Sequence, residues 1–119
     1  MRESKIEGYL RTEIKKLGGV ALKFTSPGRR GVPDRIVIMP GGRVYFVELK
    51  APKGKLRPAQ QRAQGMLREY GCCVWTLYQI IHVDMFTSYI QLGKRAWHTT
   101  QALTNGLTTG GAASLGLLR

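Results

Sequence analysis

Two acidic residues stand where strand sequences seldom place acids, and a lysine follows one of them at a spacing of two. Asp34 opens the run Asp34-Arg35-Ile36-Val37-Ile38-Met39, and Glu48 lies inside Val44-Tyr45-Phe46-Val47-Glu48-Leu49-Lys50. Both runs are β-branched and aromatic in character, and glutamate is depleted from such segments. Alternation along a strand puts Val44, Phe46, Glu48 and Lys50 on one face, so a carboxylate and an ammonium share a surface. Two carboxylates a few ångströms apart repel each other, and a hard divalent cation removes that cost. Mg²⁺ takes one or two protein carboxylates, several waters and phosphate oxygens. Such an ion lowers the pKa of water and screens charge that develops on phosphorus. Lys50 would orient that water, help to deprotonate it, or stabilise the crowded phosphorus. The chemistry predicted is phosphodiester hydrolysis, with Asp34, Glu48 and Lys50 as its core and Mg²⁺ or Mn²⁺ as cofactor. The competing reading of the trio is a salt bridge on a half-exposed sheet.

Whether the two acids meet depends on a turn. Pro40-Gly41-Gly42 separates the two runs and is the strongest hairpin signal in the chain. A three-residue loop makes Met39 face Arg43 and therefore Asp34 face Glu48. A two-residue Gly41-Gly42 loop makes Asp34 face Leu49 and turns its side chain away. The functional reading requires the first register, or a bulge that restores it.

The remaining elements follow from periodicity and punctuation. Ser4-Lys5-Ile6-Glu7 has the form of a capping box, after which Ile6, Leu10, Ile14 and Leu17 recur at helical spacing until Gly18-Gly19. Val20 to Thr25 reads as a strand, with Lys23 pointing opposite to Phe24. Ser26 to Pro33 and Ala51 to Arg57 are basic loops. Pro58 suits the first turn of a helix reaching Tyr70, with Gly71 just beyond it. Cys73 to Tyr78 reads as a strand and Val83 to Gln91 as a short helix. The order helix, three strands, helix, strand predicts an α/β fold, a mixed sheet with helices packed against it. From Lys94 onward Thr, Gly, Ala and Leu dominate and acids are absent, so residues 1–93 are expected to form the domain and 94–119 a weakly structured tail or assembly arm.

Nineteen Lys and Arg against seven Asp and Glu give a formal charge of +12 in 119 residues. So large an imbalance points to a polyanion, and nucleic acid is the commonest. No apolar run approaches the ~18 residues of a membrane span. Cys72 and Cys73 are neighbours, a poor disulfide pair, so a reducing, cytoplasmic setting is expected. His82 and His98 lack metal-ligand spacing with either cysteine, which argues against zinc. Trp75 is expected in the core, and the role open to Trp97 is stacking on a base or a partner. Arg29, Arg30, Lys53, Lys55 and Arg57 lie in the loops flanking the acids and are expected to contact DNA phosphates, as Lys23 could.

Gly31-Val32-Pro33-Asp34-Arg35, the Gly41-Gly42 turn, Val47-Glu48-Leu49-Lys50 and Pro58-Ala59-Gln60 together resemble the VRR-NUC family of the PD-(D/E)XK nuclease superfamily. The resemblance runs from about Glu3 to Tyr78. It implies a restriction-endonuclease-like αβββαβ core and metal-dependent cleavage of branched DNA such as four-way junctions. It further implies a homodimer, as stand-alone members of this size resemble dimers. Carried over by position, Glu7, Asp34, Glu48 and the carbonyl of Leu49 would be metal ligands, and Gln60 would join Lys50 near the reacting groups. The sequence departs from the family where the last strand ends in Gln79-Ile80-Ile81, without a basic residue. The alternative function is a nucleic-acid-binding module that keeps the nuclease fold without catalysis. Carboxylates placed against phosphates would only weaken such a binder.

Overall fold

A computed structural model describes residues 3–93; the expected tail, with Trp97 and His98, lies outside them. The elements run α1 (Glu3–Lys16), β1 (Val20–Lys23), β2 (Arg35–Met39), β3 (Arg43–Leu49), α2 (Pro58–Glu69) and β4 (Cys73–Leu77), followed by a helix, α3, over 80–93. One compact unit ends at Thr87; the remainder of α3 belongs to a second, which begins at Ser88. No described helix is long and apolar enough to cross a membrane.

The sheet has the order β1-β2-β3-β4, antiparallel at its first two junctions and parallel between β3 and β4. Tight turns suffice for antiparallel neighbours, whereas the parallel pair needs a crossover, which α2 provides. The hairpin adopts the three-residue loop. Met39 pairs with Arg43 and Arg35 with Val47, while Gly41 and Gly42 take φ of 88° and 83°. These left-handed conformations are cheap only for glycine, and they fix the register of everything upstream.

Each face of the sheet then has its own layer. Val37, Met39, Tyr45, Val47 and Leu49 are buried on one face with Ile6, Leu10 and Ile14 of α1. Phe86 of α3 completes that layer, its ring 5.6 Å from Tyr45 and 5.3 Å from Trp75. Tyr9 Oη donates to Asp84 Oδ1 at 2.6 Å and ties α1 to α3. On the other face α2 lies over β3 and β4, with Gln60, Ala63 and Gln64 turned inward. Gln64 Nε2 donates to Thr76 Oγ1 at 3.0 Å, giving a buried amide its partner.

Three local expectations are corrected. α1 begins at Glu3, so Ser4 is inside the helix rather than its cap, and the Glu7 carboxylate binds a guanidinium on β2 instead of reaching back. β1 ends at Lys23, although the Phe24 amide still donates to the Asp34 carbonyl at 2.9 Å. α3 begins at residue 80, not Val83, after the Tyr78 amide donates to His82 Nδ1 at 3.0 Å and closes the turn ahead of it.

Candidate active site

The register assembles a row of side chains across the α2 face of the sheet. Leu22 pairs with Ile36 and Ile36 with Phe46, so one step toward the open end of the hairpin Phe24, Asp34 and Glu48 stand side by side. Thr76 extends the row, as the parallel partner of Glu48. Lys50 lies two residues beyond Glu48, half-buried, its amide donating to the Leu77 carbonyl at 3.0 Å. Leu49, between them, turns its side chain into the opposite, α1 layer, where it is buried. The two acids and Lys50 therefore gather at the end of β3 farthest from the turn.

Their environments differ. Glu48 is only 5% exposed. Burial pushes its carboxyl up to about 7, and the charge of Asp34 pushes the same way, while Lys50 and the Asp34 backbone amide oppose them. Gln60 Nε2 donates to Glu48 Oε2 at 3.3 Å, and Gln60 Oε1 accepts from the Arg57 amide at 2.8 Å. One amide thus caps α2 and orients the acid. Asp34 Oδ1 is buried without a hydrogen-bond partner. An orphaned anionic oxygen costs several kcal/mol in ordinary protein, and it suits a position that receives a cation.

The donors fit a hard ion. Among the described residues no three His, Cys, Asp or Glu side chains cluster as a ready-made cage. Two carboxylates, supplemented by water and phosphate oxygens, are what Mg²⁺ accepts and what zinc rarely does.

Other candidates from the sequence are placed elsewhere. Glu7 pairs with Arg35, whose guanidinium hydrogen bond holds the Glu7 carboxyl below its usual range. Lys23 pairs with Arg35 in the sheet, on the face opposite Asp34 and Glu48, and its charge acts on Glu7. Arg29, Arg30, Lys53, Lys55 and Arg57 are all exposed in the loops on either side of the row.

Three contributors escaped sequence reasoning. Arg35 is 8% exposed; its guanidinium touches Glu7, the Asp34 carbonyl at 2.9 Å and Asp34 Oδ2 at 3.5 Å. It thereby ties α1 to the start of β2, next to Asp34. Glu3, one helical turn before Glu7, is the α1 acid whose charge reaches Glu48. The i, i+4 spacing of Glu3 and Glu7 was the available signal. Arg62, on the outer side of α2, converges with loop arginines in a cavity; nothing in its spacing indicated that.

Comparison with known proteins identifies the family. The family model described as VRR-NUC domain matches residues 10–78. A provisionally named nuclease, p44, of Acyrthosiphon pisum secondary endosymbiont phage 1 is 48% identical over 84 residues, covering 71% of this chain and 84% of its own. A solved structure described as a VRR_NUC domain superposes with a TM-score of 0.68 at 32% identity, covering 72% of this chain and 94% of its own. A second, described as a VRR_NUC domain protein, has a TM-score of 0.60 at 18% identity over 77% and 90% of the two chains, and speaks for the fold alone. The matched segment contains the whole sheet and the row formed by Asp34 and Glu48, so the chain belongs to the VRR-NUC domain family of nucleases.

Proposed function

We propose that this nuclease is a structure-selective DNA endonuclease that depends on Mg²⁺ or Mn²⁺ and acts as a homodimer on branched DNA such as four-way junctions. The reading is carried by the convergence of Asp34 and Glu48 across one hairpin, with Asp34 Oδ1 buried and unpartnered. Asp34, Glu48 and the Leu49 carbonyl would hold the cation. When bound, the metal activates water and screens the charge that grows on the phosphate. The chain's own groups do the rest. Gln60 fixes the rotamer of Glu48 through its hydrogen bond. Lys50, at the open end of the row, orients the attacking water and stabilises the charge that develops on the phosphate. The exposed cations of the two flanking loops hold backbone phosphates without reading bases, as suits recognition by shape. A four-way junction has two-fold symmetry, and paired cuts call for a two-fold protein. The free cysteines suit a reducing, cytoplasmic setting.

The direct test is incubation of labelled four-way junction, flap, duplex and single-stranded DNA with and without Mg²⁺, alongside Asp34→Ala. The junction is expected to be cut only with the metal. The variant should lose cleavage by about a thousandfold or more, yet bind the junction normally in EDTA. Undiminished cleavage by Asp34→Ala would remove the assignment. With about five phosphates contacted, the logarithm of affinity should fall against the logarithm of salt with a slope near −4.5. A filter-binding titration measures that slope, and a value near zero contradicts electrostatic binding by the loops.

A further inference from the structure

A cavity of about 380 Å³ opens beside the N-terminus of α2, lined by Arg30, Gly31, Arg57, Pro58, Ala59 and Arg62. Three of those six residues are guanidinium-bearing, and none of the three forms an ion pair among the described residues. Gathering three cations around one hollow costs repulsion that a surface distribution would avoid. The first turn of α2 contains no acidic residue to offset them. The wall between Arg30 and Arg57 is bare backbone. Gly31 has φ +82° and lies so close to α2 that a Cβ there would strike the Ala59 carbonyl and come within 2.7 Å of the Gln60 amide nitrogen. That glycine lets the Arg30 loop seat directly against the helix start and shapes the hollow.

We infer that this cavity is a phosphate subsite, in which Arg30, Arg57 and Arg62 hold a phosphate of the bound DNA strand other than the one that is cut. The inference rests on the DNA-cleaving reading above but concerns a different part of the molecule. Guanidinium forks match phosphate oxygens in pairs, and the helix N-terminus adds its own positive end. Two arms of the site belong to different segments of chain, the loop before Asp34 and the start of α2. A strand phosphate clasped between them joins the segment that carries Asp34 to the segment that carries Gln60, the partner of Glu48. Occupancy therefore places the neighbouring phosphodiester with respect to both acids. Arg62 is the decisive residue, since it stands on α2, where the helix fixes its backbone.

Arginine side-chain Nε–H resonances in a ¹⁵N correlation spectrum are followed while inorganic phosphate is added to the full chain. Arg30, Arg57 and Arg62 should shift together and saturate, and Arg62→Gln should abolish the shifts of the other two. Independent movement of each, or none at high millimolar phosphate, overturns the site. Junction affinity in EDTA then weakens about tenfold in Arg62→Gln, with the salt slope shallower by about 0.9. Lys15→Gln, which removes one charge from the far layer, stays within about twofold of the parent; equal losses in the two variants would reduce the effect to net charge and sink the proposal. Single methylphosphonates along the strand, and 5′-terminal phosphate against hydroxyl, identify the source. The substitution that erases the difference between parent and Arg62→Gln marks the phosphate that occupies the site; if none does, the proposal fails. These readouts are taken without cleavage, so they stand or fall apart from the role of Asp34.

Discussion

Replacing Glu48 by glutamine is expected to abolish cleavage and at the same time make the metal-free protein more stable at pH 8. The second half follows from proton linkage. The Glu48 carboxyl is raised from 4.5 to about 7 in the folded chain, chiefly by burial and then by the charge of Asp34. Between those two values the native state keeps a proton that the unfolded state has released, so stability at this site falls as pH rises through the window. Above pH 7 the folded chain holds a buried carboxylate beside another acid, at a cost of about 3 kcal/mol. Glutamine removes that charge and keeps an oxygen to accept from the Asp34 amide. In a domain of this size the gain corresponds to roughly 10 °C in melting temperature at pH 8 and should vanish near pH 4.5. Mg²⁺ should raise the melting temperature of the parent but not of the variant. Calorimetry at the two pH values, with and without metal, measures all of this. A variant less stable than the parent at pH 8 would mean that Glu48 is stabilised in its charged form, contrary to its surroundings.

Gly31→Ala should be the most damaging methyl group added at any of the described glycines. Two penalties coincide there. Its φ of +82° is strained for any L side chain, at a cost of about 1 kcal/mol. The added carbon also meets the Ala59 carbonyl and the Gln60 amide, backbone atoms that no rotamer change can move aside. Relief requires α2 to shift away from the loop, and Gln60 shifts with it. A loss of about 2–4 kcal/mol of stability is expected. The turnover of the fraction that remains folded should fall as well, because Glu48 loses the hydrogen bond that orients it. Chemical denaturation and single-turnover cleavage separate the two effects. Gly65→Ala is the matched control, since a Cβ there meets nothing within 4 Å, and it should leave the enzyme intact or slightly more stable.

What was legible in the sequence was mostly local. Gly41 and Gly42 announced the turn, alternation announced the strands, and the two together put Asp34 opposite Glu48 once the loop length was chosen. The loop length itself was a choice between two registers, and only the fold settled it. Contacts between distant segments were not legible. The Glu7 carboxylate looked like half of a helix cap because its partner, Arg35, lies 28 residues away on another element. Arg35 in turn was legible only as the first residue of a strand run, with no sign that its guanidinium is buried under α1. Gln60 drew notice only through family resemblance; its hydrogen bond to Glu48 depends on how α2 crosses the sheet. The early start of α3 depends on a bond between the Tyr78 amide and the His82 ring, a local signal that propensity scales do not encode.

The glycine turn sits five residue pairs, roughly 17 Å, from the acids it aligns. Catalytic competence is thus inherited partly as a length. A deletion in that turn would leave every reactive group chemically intact and yet point one of them at the wrong side of the molecule. Among relatives, gaps at this spot should be rare, and each should come with a balancing insertion between the turn and the Pro-Asp step.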